Sequence, residues 1–375
     1  MIQESFRTGN FWIISISNLL VCTALYMLGP TTPFYFSSDS AGLACVGPVA
    51  YLLFALGTLL LAPFCNYWLD TFRRKNVMLL SLLGVLSFMV IMPFLNERFQ
   101  LISRFFQGCA YGVFQISLGS TLLLDLSDSK DRTKVAHVYY WIQRIGLALG
   151  PIIGWYVMQL FTVQQGIFVL QGIIVVAVCI LLLLTVPFRA PLEPKVLSLD
   201  RFWLLRGYPL AFPLLLVMVS VGISVSGARC YEFFIFLLIG LLVSVLLHIL
   251  FLRERENSEV VLGLVFLIFA NAKDLMQLDG LSCWLQGALF GTGIGLFTSR
   301  YLLSYIRICA HCERGTAQTS YWLCWELGLA FGYYWRLAVI PKTVSGSMYV
   351  LFILVFVLFY FALFQRQWYL RNKRK

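Results

Sequence analysis

Residues 139–150 read YYWIQRIGLALG and residues 321–332 read YWLCWELGLAFG. Placed in register at an offset of 182, they share the leading tyrosine, a Gly-Leu-Ala triplet and the closing glycine. At the sixth position the two diverge, and Arg144 in the first stretch stands where Glu326 stands in the second. Both runs are apolar enough to be membrane helices, in which a central charge costs roughly 2.5–3.5 kcal/mol even on lenient insertion scales. A duplicated helix that keeps opposite charges at equivalent places must compensate them or use them. A second block repeats upstream at an offset of 179, where Gln107-Gly108-x-x-Tyr111-Gly112 matches Gln286-Gly287-x-x-Phe290-Gly291. Two blocks in the same order imply an internal duplication of the chain.

The composition fits a protein of the bilayer. Of its 375 residues 60% are hydrophobic and 12% charged, against about 25% charged in soluble domains. Apolar runs of the roughly 20 residues that cross a bilayer as a helix fall near residues 11–36, 42–69, 76–95, 98–124, 135–161, 165–187, 209–228, 231–252, 259–276, 280–304, 315–338 and 344–365. The expected fold is all-α, twelve transmembrane helices in two six-helix pseudo-symmetric bundles. Residues 1–187 form the first bundle, 188–208 a polar cytoplasmic connector, and 209–375 the second bundle with a basic tail.

Cytoplasmic connections carry the excess of lysine and arginine. With the N-terminus inside, twenty-one of the 28 basic residues fall on inner segments and five on outer ones, Arg104 and Arg144 lying within spans. Both termini are therefore expected to be cytoplasmic, in a multi-pass protein of the cytoplasmic (inner) membrane whose partner is the lipid bilayer. The net charge of +11 then follows from topology and the basic tail, and no nucleic-acid partner is implied. The first run is too long, and too polar at Asn18, Thr23 and Thr31, for a cleaved signal peptide. Most cysteines lie inside spans and read as small apolar residues. Cys309-Ala-His-Cys312 has ligand-like spacing but no second pair, so no metal or cofactor is expected.

The loop after the second span, Asn66-Tyr-Trp-Leu-Asp70-Thr-Phe-Arg73-Arg74-Lys75, resembles the G-x-L-x-D-R-x-G-R-[RK] motif of the major facilitator superfamily of secondary transporters. It keeps Asp70, Arg74 and Lys75, with Asn66 and Arg73 at glycine positions and Thr71 in place of an arginine. Arg104-x-x-x-Gly108 resembles the family's span-four motif, whose arginine is associated with proton coupling. Gly146-x-x-x-Gly150-Pro151-x-x-Gly154 resembles its antiporter motif, with Trp155 in place of the last glycine. The resemblance implies a gating cluster of Asp70, Arg74 and Asp125, with the aspartate near the start of span eleven and the arginine on the acid closing span four. For the glycines themselves, small-xxx-small spacing is first a packing device.

Parallel repeats of this kind place substrate sites near the midplane between the repeats and work by alternating access. Helical spacing aligns Arg104, Gln107, Tyr111 and Gln115 in span four, His137, Tyr140 and Arg144 in span five, and Trp322, Glu326 and Tyr333 in span eleven. Asn18, Tyr26, Ser220 and Ser224 are further polar positions, in spans one and seven. Gln107, Tyr111, Gln115, Tyr140, Trp322, Tyr333, Asn18 and Tyr26 are the expected cavity residues. Arg144 and Glu326 each lie about twelve residues from a flanking arginine, roughly 18 Å along the helix, and Glu326 is the one carboxylate read as deep in a span. Intramembrane charges mark substrate or proton paths. The expected function is secondary transport of a small molecule, with protons as coupling ion and efflux by antiport favoured. Glu326 is read as the protonation site, Arg144 as its charge partner or a substrate anchor, and Arg104 as assisting coupling. A proton-linked importer or facilitator of a sugar, nucleoside or organic anion is the alternative. The first span lacks the acid found in many drug/proton antiporters, so coupling rests on Glu326. An enzyme is disfavoured because none of the three histidines, His137, His248 and His311, neighbours an acid in sequence. A monomer suffices for this architecture.

Overall fold

The computed structural model describes residues 9–36, 46–186, 195–228, 230–252, 256–272, 283–340 and 346–373. Among them, twelve long helices form the molecule: α1 (Gly9–Phe36), α2 (Val46–Leu60), α3 (Arg74–Ile91), α4 (Glu97–Ser117), α5 (Arg132–Leu160), α6 (Val163–Leu182), α7 (Tyr208–Gly227), α8 (Tyr231–Leu247), α9 (Glu256–Ala272), α10 (Cys283–Ile308), α11 (Arg314–Tyr334) and α12 (Ser347–Tyr360). Each corresponds to one expected span. Residues 42–45, 187, 273–276, 280–282 and 344–345 of those spans, and residues 188–194 of the connector, lie outside the described residues.

Several helices are prolonged by a change of winding. α2 passes through a short turn, Ala62–Phe64, into Cys65–Thr71. The break falls at Pro63, which offers no N–H to the preceding turn. α4 continues through a wide turn, Leu118–Leu122, to Leu123–Asp125, and α11 ends in a similar one, Trp335–Val339.

Seven helices are long and apolar enough to cross a membrane on composition alone. Of the other five, α9 is apolar but shorter, whereas for α4, α5, α10 and α11 the reason is chemical: they hold the buried Arg104, Gln107, Gln115, Gln143, Arg144, Arg300, Gln318 and Glu326. In the most apolar window of α1 72% of residues are buried, against 28% in those of α3 and α12, so α1 runs inside while α3 and α12 present apolar faces to lipid.

The packing repeats itself six helices on. α1 lies along α5 and α6 as α7 lies along α11 and α12. α2 packs on α4 as α8 packs on α10, and α3 on α4 as α9 on α10. Between the two groups, α2 meets α11 and α5 meets α8, a pair of contacts that exchange under the same six-helix shift. This is the arrangement of two pseudo-symmetric six-helix bundles.

The repeated glycines make these contacts possible. A Cβ on Gly108 would fall 1.9 Å from the Phe54 carbonyl oxygen, and one on its equivalent Gly287 would fall 2.3 Å from that of Phe233. Gly146 and Gly150 approach Cys22 and Tyr26 of α1, as Gly328 and Gly332 approach Met218 and Val219 of α7. At Gly332 the obstacle is the Val219 carbonyl oxygen, 2.0 Å away, and main chain cannot move aside as a side chain can. Gly332→Ala is therefore expected to lower stability by about 1–3 kcal/mol, the usual cost of overpacking, read as an earlier thermal unfolding transition in detergent micelles.

Candidate functional site

A cavity of about 400 Å³ opens at the end of the bundle opposite residues 195–204 of the connector. Tyr26, Tyr51, Leu147, Pro151, Trp155, Phe234, Leu329 and Tyr333 are among its walls. Leu147 and Leu329 are equivalent positions of the repeat. One helical turn further toward the connector face from each leucine lies the charge: Arg144 on α5 and Glu326 on α11. Both are buried, at 2% exposure.

Glu326 is held by hydroxyls from the other bundle. Tyr26 of α1 donates to its Oε1 at 2.9 Å and Tyr111 of α4 donates to the same oxygen at 3.4 Å. The Trp325 indole donates to the Tyr26 oxygen at 2.9 Å. Gln115 donates to Tyr111 at 3.1 Å and to Asn18 at 2.7 Å, and the Trp322 ring meets Tyr111 edge-on at 5.6 Å. Asn18, Tyr26, Tyr111, Gln115, Trp322 and Glu326 thus form one polar network between the bundles.

Arg144 stands apart from that network. Its guanidinium donates to Ser299 Oγ of α10 and, at 3.1 Å, to the Tyr321 hydroxyl of α11. Both partners are neutral, and among the described residues no carboxylate pairs with it. The equivalence that suggested a direct Arg144–Glu326 contact is one of symmetry rather than proximity, since each side chain turns toward a different pair of helices.

The remaining expected residues divide. Tyr333 lines the cavity, its hydroxyl donating to the Gly29 carbonyl at 2.6 Å and its ring 5.2 Å from that of Tyr51. Tyr140 donates to the Gln318 carbonyl at 3.4 Å, across the bundles. Gln107 departs from the expected stripe: it accepts from Arg104 at 2.8 Å and donates to the Val85 carbonyl of α3 at 3.4 Å. Residues 104, 107, 111 and 115 spread over about 80° of a helix turning 100° per residue, so its edges meet different neighbours. Ser224 bonds Asn271 of α9 at 2.8 Å, and Ser220 donates to the Leu216 carbonyl of its own helix.

A second buried charge cluster lies at the ends of two helices. Glu259 of α9 is fully buried, 2.8 Å from His248 Nδ1 and 3.8 Å from Arg300 Nη1. The His248 ring lies 5.6 Å from that of His137 on α5. His248 and Glu259 stand at the ends of adjacent helices, so a linear reading puts both at the membrane surface and the fold brings them together. The cysteines need correction, because Cys230, before α8, and Cys283, at the start of α10, form a disulfide on the cavity face.

The connector face is closed. Arg74 pairs with Asp125 and, at 3.0 Å, with Asp70. Asp70 also accepts from Arg201 of the connector at 3.0 Å. The Arg201 amide donates to Thr316 Oγ1 at 2.9 Å, the Thr316 hydroxyl donates to Asp200 at 2.9 Å, and the Leu204 amide donates to Ser320 at 2.8 Å. Asp70 therefore reaches the start of α11 through Arg201, which the sequence reading counted only as a basic residue. Arg201 has a φ of 56°, a conformation uncommon for a side chain of this kind. Gly315 approaches α4 so closely that a Cβ there would fall 2.6 Å from the Ser120 carbonyl oxygen.

Two bundles thus meet at a central polar site, with a cavity at one end and ion pairs across the other. The chain belongs to the Major Facilitator Superfamily, whose family model matches residues 14–333. Over 123 residues it is 32% identical to uncharacterized transporters of Schizosaccharomyces pombe, a match covering 32% of this chain and 24% of those relatives. The match thus spans about a quarter of their length. Among solved structures it is similar to the human organic anion transporter MFSD10 (TM-score 0.68, 16% identity, 96% of this chain and 99% of that one). It is also similar to a peptide transporter of the POT family (TM-score 0.71, 12% identity, 98% of each chain). At these identities the likeness is one of fold.

Proposed function

We propose that the protein is a proton-coupled secondary transporter that exports a small molecule by antiport, with Glu326 as the proton-binding site. The observation that carries this reading is the setting of Glu326: buried, one turn beneath the cavity, and accepting hydroxyls of the opposite bundle through a single oxygen. A carboxylate only accepts hydrogen bonds, whereas its acid also donates. A proton arriving there removes a buried charge and alters the bonds that join α11 to α1 and α4, so proton occupancy and bundle contact are linked.

In this reading the connector face is cytoplasmic and the cavity faces outward. The distribution of basic residues supports that orientation, and so does the disulfide on the cavity face, since disulfides persist in oxidising compartments. A proton enters through the cavity past Tyr26 to Glu326. The bundles then rock, the Asp70, Arg74, Asp125 and Arg201 cluster opens, and substrate binds from the cytoplasm as the proton leaves. Arg104, buried on α4 beside Gln107, assists by keeping the region around Tyr51 electropositive. The experiment is efflux of a panel of labelled organic compounds from proteoliposomes with and without a proton gradient directed opposite to efflux. Acceleration by the gradient supports antiport; retardation by it supports the importer reading, and indifference contradicts coupling.

A further inference from the structure

We propose that the transported compound is an amphipathic organic anion, whose charged head is taken by Arg144 and whose apolar body fills the cavity above it. This deepens the transport reading of the preceding section and rests on it. An arginine cannot lose its proton in a protein, and a buried cation is ordinarily paired with an acid. Arg144 is buried and hydrogen-bonded to two neutral hydroxyls, those of Ser299 and Tyr321. Of the two acids buried within the spans among the described residues, Glu259 is engaged with Arg300 and His248, and Glu326 is engaged with tyrosines. An anion delivered to Arg144 would supply the acid it lacks, and two hydroxyls beside the guanidinium can donate to the same anion.

The guanidinium is also underused: Arg144 Nε is buried with no hydrogen-bond partner, and it is a group that an oxyanion accepts from. The cavity offers the opposite chemistry, with Tyr26, Tyr51, Trp155 and Tyr333 around a volume of about 400 Å³. That space suits an aromatic or aliphatic body, and its wall includes Leu147, one helical turn along α5 from Arg144. A neutral compound would leave Arg144 uncompensated, and an organic cation would be repelled by it.

The test uses three probes of one shape: 1-naphthoate, 1-naphthalenemethanol and 1-naphthylmethylamine, titrated into the purified full-length protein by tryptophan fluorescence. Naphthoate is expected to saturate and to bind at least about tenfold more tightly than either companion, as a charge-assisted contact demands. Arg144→Gln should remove that preference and Arg144→Lys should restore part of it, while the weak binding of the alcohol stays unchanged in both. Equal binding of the three probes, binding of none, or naphthoate affinity unaltered in Arg144→Gln would overturn the proposal. Melting temperatures of both variants separate a lost site from a lost fold. Proton coupling is read independently from Glu326→Gln, so an anion-selective protein without coupling refutes only the transport mechanism, and a coupled protein indifferent to charge refutes only this inference.

Discussion

Glu326→Gln is expected to bring gradient-driven transport down to the level of empty liposomes while exchange of labelled for unlabelled substrate continues. Glutamine has nearly the same shape and, like the protonated acid, is neutral while keeping an oxygen that can accept from a tyrosine, so the site is preserved in its protonated-like form. What it cannot do is bind and release a proton. A fixed neutral group leaves the bundles free to rock with substrate aboard, but no proton is carried in either direction. Replacing Tyr26 by phenylalanine removes one hydroxyl only, and should slow coupled transport without abolishing it. The pair of fluxes, gradient-driven and exchange, separates loss of coupling from loss of the protein.

The second large effect belongs to the connector face. Asp70→Asn is expected to depopulate the closed state, because Asp70 is the acid that Arg74 and Arg201 share. It is buried at 5% exposure, and removing one partner from a buried ion pair costs about 3–5 kcal/mol. A shift of about 5.5 kcal/mol carries a two-state equilibrium from 1:99 to 99:1, so a single substitution approaches full reversal. Spin labels at Lys130→Cys and at Cys312, with Cys45 and Cys179 replaced, report this directly. Their neighbours Ser129 and His311 lie 3.3 Å apart in the closed form. The label distance should lengthen in Asp70→Asn and stay short in Thr71→Asn, an exposed position next to it.

How far the sequence reaches is instructive at particular residues. The duplication was legible because the packing glycines cannot vary where main chains touch, and Gly108 with Gly287 and Gly150 with Gly332 stand out against apolar surroundings. The helices that carry the site were legible for the opposite reason, since Arg104, Arg144 and Glu326 are costly in a bilayer. Pairings were not legible. Periodicity assigns a face to a residue but not the helix which that face meets, so Gln107 was grouped with the cavity although it turns to α3. Arg144 and Glu326 were read as possible partners although the fold gives each its own tyrosines. Residues at helix ends were hidden in the same way: His248 and Glu259 look solvated in one dimension and are neighbours in three. Arg201 lay in a connector whose sequence carries no periodicity, and only its φ and its contacts with Asp70 and Thr316 reveal that it joins the two bundles.

The central claim is that a proton on Glu326 sets which way the bundles lean, and the most direct measurement is the Lys130–Cys312 label distance recorded against pH in wild type and in Glu326→Gln. No substrate is needed. In the wild type the balance between short and long distances should move with pH, and in Glu326→Gln it should stay fixed near the distribution that the wild type reaches at its acid end. A Glu326→Gln protein that keeps the full pH response would contradict the account, and would move the proton to another group, beginning with the His137, His248 and Glu259 cluster.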